Sequence, residues 1–230
     1  GAKKRGVDTF VISPTPYIPF FHPQKKYIIS SHLDIKYYDE IPIIRPSFFK
    51  IPNHFLYSIS FKNLSKSIAK YGSKISFDII HAHFGQNGAA SIELKKKSGV
   101  PLITTFYGFD SGPMGKRLFG NYYKELINIG DMFLVLSKDM KKDLISLGFP
   151  ESKIHIHRIG VNLDQWVASE EKNDNFMFLN VSRFNEKKGV HHTIKAFSKA
   201  YEKRRNMELV ILGDGPYKSK LERMIADLNL

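Results

Sequence analysis

The sequence predicts an α/β fold built on parallel sheets, and three observations carry that prediction. Short apolar runs alternate with helical patterns of ten to fifteen residues, as βαβ units require. The later runs, MFLNVS at 177–182 and ELVILG at 208–213, are nearly continuous in Ile, Leu, Val and Phe, as in strands covered on both faces. Val190, Ile194, Phe197 and Tyr201 are spaced four, three and four apart, which puts one apolar stripe on a helix.

Taken in order, AKKRG closing on Gly6 reads as the end of a helix with a glycine cap. A strand follows at 8–13 (DTFVIS), then a helix near 60–71 and a strand at 78–84 (DIIHAHF). Gly85 and Gly88 loosen the next turn and open a helix near Ala89, over 88–98. Strands at 101–107, 132–137 and 153–158 alternate with helices near 116–129 and 138–147. The stretch QWVASEEKNDN, 165–175, is polar, acidic and without periodicity, so it reads as a linker between 1–164 and 176–230. The second region holds strands at 177–182 and 208–213 and helices near 189–204 and 217–228. Two strands make a sheet too narrow to stand alone, so this region either packs on the first or is the beginning of a larger domain.

At 230 residues, 42% of them hydrophobic, the chain can bury one large core or two modest ones. The absence of cysteine excludes a disulfide scaffold, a thiolate metal site and a cysteine nucleophile. No apolar run approaches the ~18 residues of a spanning helix, and residues 1–7 lead into a strand, not an apolar leader segment. An intracellular location fits. The net charge of +13 predicts attraction to something anionic: nucleic acid, an acidic membrane or phosphorylated substrates. Because the lysines are spread over most helices, solvated helix faces are an equally good reading. No nucleic-acid-binding motif or aromatic-interleaved basic patch is present, so no nucleic-acid partner is expected.

Four stretches carry candidate chemistry. In VSRFNEKKG a strand ends in Arg183, and a loop with Lys188 enters a helix at Gly189. Free backbone amides and the helix dipole favour an anion there, Gly189 permits close approach, and Arg183 and Lys188 add positive charge. An exposed basic turn at a sheet edge satisfies the same spacing. In ILGDGP, Gly213, Asp214 and Gly215 suit either a tight connection or a ligand's approach, without a full dinucleotide fingerprint. His81 and His83 share a strand face, as do His155 and His157, but no cysteine or carboxylate stands at ligand spacing, so no metal is expected. His83 lies at a strand's C-terminal end, where ligands sit in open α/β sheets. Thr105, Tyr107, Gly108 and Asp110 in ITTFYGFDSG occupy the same position on the next strand, where glycine termination and an Asp cap are the plain alternative.

In this order, DIIHAHF, PLITTFYGFD, the FLVLSKDMKKDL to GVNLDQW segment, VSRFNEKKG and LVILGDGP resemble the retaining, nucleotide-sugar-dependent glycosyltransferases of family four. The resemblance covers nearly the whole chain. It implies a GT-B fold, with two Rossmann-like domains facing across a cleft, the acceptor on the first and the donor on the second. It implies transfer of a hexose from a UDP-, GDP- or similar sugar to a glycan or lipid-linked acceptor, in bacterial surface polysaccharide synthesis. The donor diphosphate then falls to Arg183, Lys188 and Gly189, with Gly213, Asp214 and Gly215 on a donor-side loop. No cofactor and no metal is implied, since positive side chains take the metal's place. Tyr107, His83 and Asp110 become the catalytic candidates, although the family has His where Tyr107 stands, and Asn162 replaces an Asp. The family's first strand and glycine-rich loop would precede residue 1, and its E-x7-E segment would follow residue 230. Little turnover is therefore expected from these residues alone. The implied location is cytoplasmic, with a basic surface able to rest on the anionic inner face of the membrane. A non-catalytic sugar-nucleotide or glycan binding protein of the same fold is the alternative.

Overall fold

The computed structural model describes residues 5–17, 33–38, 40–51, 57–165 and 176–230. They form two compact units, residues 1–160 and 161–230.

In the first unit, β5 (Ile80–His83), β6 (Leu102–Thr105), β7 (Met132–Val135) and β8 (Ile154–Ile156) form a parallel sheet in sequence order. Its crossovers are α2 (Gly85–Ala90), α3 (Ile92–Ser98), α4 (Pro113–Ile129) and α5 (Lys138–Ser146). The core is aromatic: Phe106, Tyr123, Phe133 and Phe149 meet edge-on at 4.7–6.4 Å, with Leu102, Leu126, Leu144 and Ile154 packed around them. Asp131 pins the start of β6 by accepting the Leu102 amide at 2.6 Å. Burial alone would raise its pKa, but that amide and Lys95 together hold the carboxyl below its usual range.

A second sheet precedes this one and departs from expectation. β4 (Ile41–Phe49) lies between β3 (Leu33–Tyr38), antiparallel, and an interrupted parallel partner made of β1 (Val11–Ile12) and β2 (Thr15–Tyr17). Only part of the expected strand at 8–13 forms, and β3 and β4 were not foreseen. α1 (Tyr57–Gly72) covers this sheet through Asn63 and Ser67, which donate to the Phe49 and Ser47 carbonyls.

The expected single helix over 88–98 is two helices broken at Ser91, and the first begins at Gly85, not near Ala89. Gly85 and Gly88 serve close packing more than looseness. A Cβ at Gly85 would meet the Phe106 ring at 2.3 Å, and one at Gly88 the Thr104 hydroxyl at 2.4 Å.

In the second unit, β9 (Phe176–Val181) pairs in parallel with β10 (Met207–Leu212), and α6 (Val190–Lys203) and α7 (Lys218–Asp227) pack beside them. Phe184, Val190, Ile194 and Leu221 are its buried core. Residues 166–175 of the expected linker lie outside the described residues.

Candidate functional site

The candidate residues fall at strand C-termini in both units. In the first unit, His83 ends β5 and is paired with Thr105, which ends β6. Two residues on, Tyr107 brings its hydroxyl to 2.5 Å from His83 Nδ1, and the rings lie nearly parallel. Burial first, then the Asp110 charge, raises the Tyr107 pKa, so the hydroxyl keeps its proton. A protonated phenol donates, so in the neutral imidazole Nδ1 accepts and Nε2 carries the hydrogen. His81 stacks on His83 at 4.5 Å and binds Thr105 Oγ1 through Nε2 at 2.7 Å. Burial, then the charges of His83 and His157, lower its pKa, so His81 favours the neutral form.

Asp110 is fully buried, and backbone occupies its carboxylate. Oδ1 accepts the Tyr107 amide at 2.9 Å and Oδ2 the Gly85 amide at 2.7 Å, while its carbonyl accepts the Tyr123 hydroxyl. Asp110 thus ties the loop after β6 to the turn after β5. Phe84, in that turn, has φ 72° and ψ 140°, a conformation that costs a non-glycine residue of order 1–3 kcal/mol. Its ring lies 4.7 Å from Tyr107. Sequence reading missed the Phe84 backbone and the contact between Gly85 and Asp110. The available signal was the small-residue run of α2, which lets that turn press on the sheet.

In the second unit, Arg183 and Lys188 are exposed on the loop from β9 to α6. Phe184, buried, anchors this loop, and Asn185 Oδ1 accepts the Lys188 amide at 3.1 Å. Gly189, at φ 66°, turns the chain into α6; a Cβ there would meet nothing nearer than the His192 ring at 3.6 Å. Glu186 is engaged by the Tyr217 hydroxyl, and burial, then Glu186, raises the Tyr217 pKa. The Gly213–Gly215 loop is stitched to the same segment: Phe184 N donates to Asp214 O at 2.8 Å, and Tyr217 N to Phe184 O at 3.0 Å. A Cβ at Gly213 would fall 1.9 Å from Ser182 O, and one at Gly215 2.5 Å from Phe184 O. Both glycines therefore allow loop to meet loop. The exposed, cationic part of this surface lies on the β9–α6 side, next to the amide-rich N-terminus of a 14-residue helix. Among the described residues, no three His, Asp or Glu side chains are grouped to hold a metal ion.

The sequence model of Glycosyltransferase Family 4 matches residues 1–165, and that of glycosyl transferases group 1 matches residues 164–230. WcaL of Salmonella typhimurium, provisionally assigned as a colanic acid biosynthesis glycosyltransferase, is 28% identical over 174 residues, 73% of this chain and 42% of its own. The amylovoran biosynthesis glycosyltransferase AmsK of Erwinia amylovora is 26% identical over 66% of this chain and 39% of its own. The crystal structure of Anabaena HepE in complex with UDP-glucose superposes with a TM-score of 0.65 at 16% identity, over 83% of this chain and 54% of that one. The chain thus spans about half the length, or less, of the proteins it matches. The α/β class with parallel sheets expected from the sequence is the fold that these neighbours share, the GT-B type.

Proposed function

The chain belongs to glycosyltransferase family 4, and on that premise we propose that the complete protein is a retaining hexosyltransferase of bacterial surface polysaccharide synthesis. It moves the hexose of a nucleotide-diphosphate sugar to a glycan or lipid-linked acceptor. The second unit takes the donor and the first the acceptor. The names of WcaL and AmsK support a polysaccharide product, and the UDP-glucose bound by HepE supports a sugar-nucleotide donor.

The observation that carries the reading is the β9–α6 loop, where Arg183 and Lys188 are exposed beside a helix N-terminus. The guanidinium grips the diphosphate through its planar fork, the Lys188 ammonium adds a point charge, and the α6 amides complete the cradle. As the bond to the sugar breaks, negative charge grows on the departing diphosphate, and fixed cations stabilise that charge more than the ground state. This arrangement works without a metal ion. In the first unit, the His83 ring, oriented by the Tyr107 hydroxyl at Nδ1, offers Nε2–H as a hydrogen-bond donor to a sugar hydroxyl. Asp110 acts by positioning the loop that carries Tyr107. The protein works at the cytoplasmic face of the membrane, where its basic surface meets anionic lipid.

Turnover of radiolabelled sugar nucleotides by the complete protein tests the reading. Transfer with retained anomeric configuration is the expected result, and donor binding without transfer by an otherwise folded protein would favour the non-catalytic alternative.

A further inference from the structure

We propose that the exposed face of α1 is a docking surface for an anionic lipid bilayer, with Lys62, Lys66 and Lys70 meeting the phosphate headgroups. The inference deepens the membrane placement above and rests on it, but it does not depend on sugar transfer.

The charge of the chain is unevenly held. Residues 1–160 carry 23 Lys+Arg against 12 Asp+Glu, whereas residues 161–230 carry 12 against 10. Within the first unit, α1 contains no acidic residue, and its lysines recur every fourth position, continued by Lys74 just beyond the helix. Like charges at that spacing repel and weaken a helix. Several lysines elsewhere in this unit find carboxylates: Lys95 with Asp131, Lys96 with Glu125, Lys97 with Glu93 and Lys141 with Glu151. Among the described residues, Lys62, Lys66, Lys70 and Lys74 pair with none. The helix cannot turn to hide them, because its other face holds buried Ser60, Ser67, Ile68 and Ala69 against β4 and its neighbours.

The occupant follows from the chemistry of the face. Sixteen residues of helix span about 24 Å, a length that lies flat along a plane of repeated phosphates. Ile59, 44% exposed, shares the lysine face, and the Tyr71 ring lies beneath the ammonium groups of Lys70 and Lys74 at 5.5 and 5.4 Å. Apolar and aromatic groups beside lysines suit the boundary between headgroups and acyl chains. The second unit supplies an internal comparison. Lys195, Lys199 and Lys203 repeat the spacing on α6, but Glu202 interrupts that helix and its unit is nearly charge-balanced.

The test is sedimentation of this chain with phosphatidylcholine vesicles containing one-third phosphatidylglycerol, and with phosphatidylcholine alone. Binding is expected only to the anionic vesicles. Each lysine at an anionic surface is worth about fivefold in partition. K62Q/K66Q/K70Q should therefore lower binding at least tenfold, while K62R/K66R/K70R retains it and K195Q/K199Q/K203Q leaves it within about twofold. A thermal melt of each variant reports folding, which substitution at exposed positions leaves intact. No binding to anionic vesicles overturns the membrane placement and the docking face together. Binding that survives K62Q/K66Q/K70Q, or falls equally with the α6 triple, overturns the face alone. Release from vesicles by an RNA oligonucleotide held through the same three lysines would reassign the face to nucleic acid. None of these outcomes bears on sugar transfer.

Discussion

The Tyr107 hydroxyl lies 2.5 Å from His83 Nδ1, joining the C-terminal ends of two adjacent parallel strands through their side chains. Tyr107→Phe deletes the donor and keeps the ring. Stability should fall by only about 1 kcal/mol, the net worth of one hydrogen bond outside the core. The His83 ring should change its tautomer balance, seen as a shift of its side-chain nitrogen resonances. Unchanged resonances would show that the pair is not coupled.

Asp110→Ala should cost far more. It strands the Tyr107 and Gly85 amides, each worth about 1–3 kcal/mol when buried without a partner. A loss of about 3 kcal/mol in urea unfolding is expected. Asp110→Asn, which keeps one acceptor, should fall between the variant and the parent.

The two glycine environments of the second unit predict opposite tolerances. Gly213→Ala drives a methyl into the Ser182 carbonyl, so the two loops must separate. Gly189→Ala meets open space and pays only the strain of φ 66°, about 1–2 kcal/mol. Circular dichroism melts should rank the pair accordingly; equal destabilisation would contradict the loop contact.

His81 makes stability depend on pH. Its pKa is lowered in the folded protein, so between that value and about 6.5 the unfolded chain binds more protons. Stability contributed by the neutral ring is present above about 6.5 and is lost as pH falls through the lowered value. Urea midpoints should rise with pH across that window, and His81→Gln should flatten the rise.

How much of this was legible in sequence depended on how local the cause was. The strands of the four-stranded parallel sheet, β5 to β8, were visible because each is a short apolar run punctuated by glycine, proline or a cap. β4 was hidden because IPIIRPSFF carries Pro42 and Pro46, which ordinarily exclude a central strand. The register explains the exception. Ser13 N donates to Ile44 O, so Ile44 and the alternate residues Pro42 and Pro46 address the β1 and β2 side. Pro46 falls where the partner strand breaks between Ile12 and Thr15, and Pro42 lies before the first pair, Val11 with Ile43, so the missing N–H groups cost little. The β9–α6 loop was legible as a charged strand-to-helix turn. The clamp of Asp110 on Gly85 was not, because it joins residues 25 apart through backbone amides that leave no side-chain signature. Gly213 and Gly215 showed as glycines, but only the neighbouring loop discloses what occupies the space beside them.

Donor affinity of the complete protein, measured by calorimetry on the parent, Arg183→Ala, Lys188→Ala and the double variant, tests the central claim most directly. Each lost charge-assisted contact should weaken binding about 10- to 100-fold, from ~1.5–3 kcal/mol apiece, with melting behaviour preserved at these exposed positions. Unaltered affinity and turnover in the double variant would contradict the assignment of the donor diphosphate to this loop.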